Sequence, residues 1–557
     1  STLSVQTINF FFPKNEYLYI NCIMRKQHIS LKNTGRFSQL ICDYLIEKKS
    51  LKEFYGYYPN LENTHIQMEL KKDHYSKQSR KVLVKALNSQ YAKMTPEKAV
   101  TKNLKLLANE NTFTVTTGHQ LCLMTGPLYF IYKIISTINL CKQLKLKYPK
   151  SEFIPVYWMA SEDHDFEEVN SFYFQDKKIQ WKRKAAGAVG ELPLNDLQKA
   201  LNLFETDLGN HPEVSFIKEL LEKSYRKSVN LSEATFKLVD QLFGSFGLIV
   251  LEPNQKDLKS LFSPIIKDEL TNSSSFKCVT SQINLIQKNY NKKYTPQVNP
   301  REINLFYLTP QGRYRIKKDK NGFSLIGAKL NFTKEAFFKI LKEYPERFSP
   351  NVILRPLYQE IILPNLHYIG GAGEIAYWLQ LKKNFDHYEV PFPSLLLRNS
   401  ALIYSSKLRK KIDRLNLTLS DIFLKREVLV NKKIRQISSI DLDLKFLKIQ
   451  LEKQFNHLKY LVSQTDKSFE GAVNAQLKKQ MRGIDYLEKR LLKAQKSKLS
   501  DQVQRLSMLH SQLFPNDQLQ ERSLNFVSFY LEMGEQMIPS LVENLDPLNP
   551  DFTLIEY

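Results

Sequence analysis

The feature that most constrains this chain is a strand, a long helix and a second strand in unbroken succession. Phe113-Thr-Val-Thr-Thr117 is a β-branched run that ends in the turn-prone Gly118-His119-Gln120, and a second apolar run spans Phe153 to Met159. Between them, apolar residues recur at helical spacing from Gly126-Pro127 to Leu144, with proline at the start and Thr125 as the expected cap. Strands joined this way run parallel, since an antiparallel pair needs only a tight turn. A parallel sheet collects its ligands at the C-terminal ends of its strands. The expected fold is therefore α/β, with functional loops after Thr117 and after Met159.

At 557 residues the chain exceeds one ordinary core, so insertions or further domains are required. Further strand candidates are Gly247–Leu251, Ile303–Leu308 and Val352–Leu354. The run from Arg313 to Leu325 reads as a hairpin turning at Asn321-Gly322, which suits an insertion better than a parallel sheet. Insertions are expected near 181–235 and 271–345, within a core of residues 1–405 whose first 110 or so residues are mostly helical. From Asp441 the apolar residues fall at spacings of three and four: Leu444, Leu447, Leu451, Phe455, Leu458 and Val462, then Leu477 to Leu491 beyond Gly471. That pattern predicts two antiparallel helices in a coiled-coil arm within 406–514. The aromatic-rich end, 515–557, is expected to pack back on the core.

The formal charge of +24 raises nucleic acid as a partner. Between Ala401 and Phe514, 24 Lys and Arg face 11 Asp and Glu, so 24 − 11 = +13 of the charge sits in the arm. A solvated helical face accounts for it, and no nucleic-acid motif accompanies it. The five cysteines have no CxxC spacing, which argues against a disulfide framework or zinc ribbon and fits a reducing cytoplasm. No apolar run reaches membrane-spanning length, and the stretch Ile8–Pro13 lacks the features of a signal peptide.

Three segments carry candidate chemistry. In the first, from Thr116 to Lys133, the turn Thr117-Gly118-His119-Gln120 enters a helix whose N-terminus can hold an anion, with Tyr129 and Lys133 within reach. Its alternative is a plain loop with a buried histidine. In the second, Pro155 to Val169, five acids and His164 fall within the seven residues Glu162–Glu168, just after a strand. Such a cluster needs pairing, a metal or a cleft; Asp163, His164 and Asp165 suit acid–base work better than a tetrahedral metal site, so no metal is expected. The alternative is a helix start capped by Ser161. In the third, Leu366 to Gln380, a glycine-rich turn enters a helix that carries Glu374, Tyr377 and Gln380 on one face. It is neither a dinucleotide fingerprint nor a P-loop, so it names no cofactor.

The strings TGHQ…TGPLYFIYK, PVYWMASEDHDFEEVN and GGAGEIAYWLQL, with PFPSLLLRNS and LQERSLNF, resemble the signatures of the BshC family, cysteine ligases of bacillithiol biosynthesis. The resemblance covers essentially the whole chain. It implies a Rossmann-like core similar to class I aminoacyl-tRNA synthetases, with two insertions and a C-terminal coiled coil that forms a homodimer. Gly118-His119-Gln120 would stand where those synthetases carry a nucleotide-phosphate motif, although His119 replaces the usual Gln and Leu121-Cys122 a common Pro-Gly.

The implied reaction adds L-cysteine to glucosaminyl-malate. A nucleotide such as ATP or ADP is the implied co-reactant, its identity left open. The implied anionic ligand matches Lys133 and Arg398. Substrate binding is thus expected at Thr117, Gly118, His119, Gln120, Tyr129, Lys133, Glu374, Tyr377 and Arg398. Proton transfer from an attacking amine is expected at Asp163, His164 or Asp165. The rival readings are a tRNA- or nucleic-acid-interacting protein on the same core, and a non-catalytic scaffold.

Overall fold

The computed structural model describes residues 24–557 apart from Lys467; the Ile8–Pro13 stretch lies outside the described residues. Five strands form one parallel sheet: β1 (Thr112–His119), β2 (Glu152–Met159), β3 (Ile249–Leu251), β4 (Asn365–Gly370) and β5 (Ser394–Leu397), in the order β5-β4-β1-β2-β3. The chain begins in the middle, builds outward through β2 and β3, then returns across β1 to add β4 and β5. That reversal leaves a topological switch point between β1 and β4, the position where doubly wound sheets bind ligands.

Both central strands are buried on both faces, so their hydroxyls need partners inside. Thr114 and Thr116 donate to Asn365 Oδ1 at 3.2 and 2.8 Å, and Asn365 in turn donates to Glu360 at 2.7 Å. Lys71, from the helical N-terminal region, closes this network with a buried ion pair to Glu360 at 3.0 Å.

The crossover helix α1 (Tyr129–Lys147) is buried continuously from Phe130 to Cys141. It starts later than the proline suggests, and Thr125 does not cap it. Met124 and Thr125 adopt left-handed backbone angles, φ 49° and 66°, and the Thr125 hydroxyl has no partner among the described residues. The C-terminal segment supports the helix start instead. Leu524 O accepts from Leu128 N at 2.8 Å, and Asn525 Nδ2 donates to Met124 O and Gly126 O at 2.6 and 2.7 Å.

Between β3 and β4 the chain makes helix α2 (Lys256–Asn272) and a five-stranded antiparallel sheet. The Ile303–Leu308 run falls in that sheet, as Leu305–Thr309, rather than in the parallel one. The hairpin is present, but Asp319 pairs with Gly322, so Lys320-Asn321 make the turn. Gly322 has φ 154°, and a Cβ there would collide with Phe332 O. Val352–Leu354 is no strand. Asn351 Oδ1 accepts from Ile353 N at 2.9 Å and Asn351 O from Arg355 N at 2.8 Å, turning this apolar triplet into the start of α3 (Arg355–Ile362). After β4, the short helix α4 (Ala372–Trp378) follows the glycine turn.

The arm comprises α5 (Lys445–Ser463) and α6 (Ser468–Lys498), which pack through Phe455, Val462 and Val473 with Leu451 and Leu477. Leu447, Leu458 and Leu487 of the expected seam are instead 36%, 40% and 57% exposed. Beyond the arm, Phe552–Glu556 forms a strand between Ala401–Tyr404, parallel, and Arg25–Ile29, antiparallel. No described helix is long and apolar enough to cross a membrane.

Candidate active site

A cavity of about 630 Å³ opens at the switch point. Its sheet side is made by Gly118, His119 and Gln120 at the end of β1, Trp158, Ala160 and Asp163 at and after β2, Tyr368 on β4, Tyr129 and Lys133 on α1, and Glu374 and Tyr377 on α4. The opposite side comes from the insertion and the start of α3: Arg301, Phe306, Arg313, Asn351 and Arg355 among others. The strand-end loops of β1 and β2 and the glycine turn thus meet at one cavity, as parallel neighbours should.

Glu374 organises the sheet side. Its carboxylate accepts from Lys133 Nζ at 2.9 and 2.8 Å, from Tyr368 Oη at 2.7 Å and from Gly371 N at 2.7 Å. Lys133 also donates to Gly118 O, so its three N–H groups are committed to the protein. Burial pulls its ammonium below the usual range, against the opposing field of Glu374. Lys133 is therefore a tie between β1, α1 and α4 rather than the expected free anion hook. With Leu128 N bonded to Leu524 O, protein also occupies part of the helix start where an anion was expected.

His119 lies against Tyr129 and Phe130, with ring centroids 5.4 and 5.1 Å away. Burial, reinforced by Lys133 and Arg398, holds its pKa well below the usual histidine range, so the ring is neutral at physiological pH. Gln120 reaches across to Glu168 at 2.6 Å and Asp163 at 3.3 Å.

The acidic cluster divides. Asp163 lines the cavity, 3.7 Å from Arg313. Burial raises its carboxyl, but hydrogen bonding to His164 and the fields of Arg355 and Arg313 outweigh this and hold it far below the usual range. It stays a carboxylate, suited to receiving a cation and poorly suited to accepting a proton. His164 is half exposed, and its Nδ1 lies 3.0 Å from Arg313. Asp165 is exposed, and neither it nor His164 lines the cavity. Ser161 caps no helix; its hydroxyl donates to Glu252, and the only helix here is the four-residue Phe166–Val169. Among the described residues, no group of three or more His, Cys, Asp or Glu is gathered to hold a metal ion.

Two further expected residues lie outside the cavity lining. Thr117 donates to Ile369 O at 2.8 Å and so ties β1 to β4. Arg398 is buried in an ion pair with Glu521 at 2.8 Å and stacks on Tyr129, its Cζ 5.1 Å from the ring centroid. Arg301, Arg313, Arg355 and Tyr368 were missed. Tyr368 stands inside a motif already singled out, two residues before the glycine turn. The three arginines sit in no motif, and only folding of the insertion brings them together.

Arg313 is held by Ser349 Oγ at 3.2 Å and Pro350 O at 3.3 Å, and its Cζ lies 4.0 Å from the Phe306 ring centroid. Burial and the neighbouring Arg355 lower its pKa to about 10. Among the described residues, no carboxylate comes within ion-pairing distance of Arg301 or Arg355.

Comparison with known proteins decides the family. Residues 24–399 match the model described as "Bacillithiol biosynthesis BshC, N-terminal Rossmann-like domain", and residues 401–557 match its "C-terminal coiled-coil domain". The chain belongs to the BshC family. A relative from Flavobacterium johnsoniae is 49% identical over 95% of this chain and 99% of its own length, and one from Christiangramia forsetii is 48% identical over 95% and 98%. A more distant one, from Chlorobaculum tepidum, is 27% identical over 93% and 96%. Each bears the name "Putative cysteine ligase BshC". The family's two regions meet at Ser400, directly after the sheet ends at β5.

Proposed function

We propose that this chain is a cysteine ligase of bacillithiol biosynthesis, joining L-cysteine to glucosaminyl-malate in the cavity between β1 and β4. One observation carries the placement: the cavity sets two guanidinium groups that have no ion-pairing partner among the described residues, Arg301 and Arg355, in the same chamber as the fixed carboxylate of Asp163. The malyl group is a dicarboxylate and suits the former, while an ammonium group suits the latter. This moves the anion from Lys133 and Arg398 to the insertion side. An amide formed from a free carboxylate needs activation, so a nucleotide such as ATP is the co-reactant to supply. The test incubates the purified protein with glucosaminyl-malate, L-cysteine and ATP and follows bacillithiol by mass. No product with any nucleotide, and no binding of either substrate, would refute the reading.

The chain acts as a homodimer through its arm in this reading. The support is a face of the arm that its own helices leave uncovered, including Phe446, Leu458, Tyr460, Leu461 and Leu487. Leu458→Asp leaves the internal seam of Phe455, Val462 and Val473 intact, so light scattering of that variant should report a monomer. An unchanged dimer mass would remove the arm from the interface.

A further inference from the structure

We infer that Glu162 and Lys259, neither of which lines the cavity, are positioning residues that aim Asp163 and Arg313 into it; this rests on the cavity being where the substrates bind. The loop after β2 is gripped at three consecutive side chains. Ser161 Oγ donates to Glu252 at the end of β3, Glu162 pairs with Lys259 on α2, and Asp163 faces Arg313 of the antiparallel sheet. The backbone is gripped as well: Val189 N donates to Asp163 O at 2.7 Å and Gly190 N to Ser161 O at 3.0 Å. A side chain on Gly190 would meet Ser161 Cβ at 2.8 Å, so the close approach depends on glycine.

The two cations that answer Glu162 and Asp163 converge on one strand, Phe348–Pro350. Lys259 Nζ donates to Phe348 O at 2.8 Å, while Arg313 donates to Ser349 Oγ at 3.2 Å and Pro350 O at 3.3 Å. Consecutive carboxylates on the sheet side therefore hold consecutive residues on the insertion side through one cation each. The outer pair, Asp163 and Arg313, borders the cavity. The inner pair, Glu162 and Lys259, has side chains only 5% and 0% exposed and lies outside the cavity lining. A buried ion pair is seldom the most stabilising filling for such a volume, since apolar side chains of similar size avoid the desolvation cost. What it supplies that apolar residues lack is a fixed direction and spacing. Here these run between the β2 loop and the strand that anchors Arg313 and leads directly to Asn351 and Arg355.

The experiment compares wild type, Glu162→Met/Lys259→Met, Glu162→Asp and Lys259→Arg as full-length protein. Binding of glucosaminyl-malate is followed by calorimetry, and thermal stability is measured alongside. The double variant should fold with a Tm at or above wild type yet bind at least 10-fold more weakly, and the two conservative variants should lose several-fold. Unchanged affinity in a folded double variant overturns the inference. If the double variant fails to fold, the conservative pair decides: weaker binding at wild-type Tm supports the inference, and wild-type binding overturns it. If wild type does not bind this ligand, the proposed function fails instead. The positioning role is then read without ligand, from deuterium uptake at residues 348–351 and phenylglyoxal modification of Arg313. Both should be faster in the double variant, or in the conservative pair should the double variant not fold, and unchanged rates overturn the role.

Discussion

On the sheet side of the cavity the principal charges are already answered, and on the insertion side they are not. Lys133 and Glu374 neutralise one another, Tyr368 and the Gly371 amide complete the carboxylate, and Arg398 is consumed by Glu521. Across the cavity, Arg301 and Arg355 make no ion pair among the described residues, and Arg313 shares the field of Asp163 with the neighbouring Arg355. A charge that is fully hydrogen-bonded inside the protein has little left to offer a ligand. One held without a partner offers most of its interaction. The motif-rich wall is therefore the frame, and in the proposed reading the motif-poor wall is where anion recognition is concentrated.

The largest expected effect would break this comparison at its firmest point. Lys133→Met strips Glu374 of its cation while leaving the carboxylate bonded to Tyr368 and Gly371, which should destabilise the protein by about 3 kcal/mol. A clear fall in Tm is expected. If Tm were unchanged and only ligand binding failed, Lys133 would be a ligand residue and the two walls would not differ in kind.

A second effect of similar size comes from Glu252, behind the β2 loop, a buried carboxyl whose bonded partners are all neutral. Burial is the main cause that pushes its pKa from 4.5 to about 7, and the nearby Glu162 adds to the rise, while Ser161 and Asn254 hydrogen bonds oppose it. Below pH 4.5 the folded and unfolded states both hold this proton. Between 4.5 and 7 only the folded state does, so stability falls as pH rises through that window and stays lower above it. The loss amounts to about 3 kcal/mol. Glu252→Gln removes it, so the variant's Tm should gain on wild type between pH 5 and pH 8. A Tm difference that does not change with pH would show that Glu252 is ionised in the fold.

Arg355→Met tests the other wall. With no ion pair to lose among the described residues, the fold should change by less than about 1 kcal/mol, while affinity for glucosaminyl-malate should drop 10- to 100-fold, or about 1.4–2.7 kcal/mol. Intact affinity, or a large fall in Tm, would make the insertion side as structural as the sheet side.

The same division explains what could be read from the chain. The parallel sheet, its crossover helix and the arm were legible because each rests on local periodicity: β-branched Phe113–Thr117, apolar Phe130–Leu144, the spacing from Leu444 to Leu491. The meeting of Gly118, Asp163 and Glu374 at one cavity followed from strand direction alone. Partner choice did not follow. Nothing local says that Lys133 will meet Glu374, 241 residues away, or Arg398 meet Glu521, 123 residues away. Val352–Leu354 misled for a related reason: its apolar triplet is buried by a turn that Asn351 makes, and periodicity does not register a side chain's bond to its own backbone. Arg301, Arg313 and Arg355 were invisible because no local pattern marks them: they line one cavity only once the insertion and the start of α3 have folded against the sheet.

The smallest expected effect is at Cys122, buried behind the motif-rich wall, where a thiol beside a histidine invites a nucleophilic reading. Cys122 Sγ lies 3.9 Å from His119 Nε2 and 3.9 Å from Glu168 O. A thiol becomes a strong nucleophile as thiolate, stabilised by a protonated histidine or another cation. Here burial works against both groups. It keeps His119 neutral and, with Glu168 adding to the effect, pushes the Cys122 thiol up to about 12, so roughly one molecule in 10⁵ holds a thiolate at pH 7. The side chain also fills space that a Cβ on Gly126 would invade, approaching Cys122 Cβ at 2.7 Å, which marks it as packing under the turn into α1. The substrate, L-cysteine, brings a thiol of its own. Cys122→Ser should therefore retain product formation within about threefold and cost about 1 kcal/mol, the price of a hydroxyl in a tight apolar site. Loss of all product with Tm and substrate affinity intact would instead place a covalent step behind the wall that serves as framework.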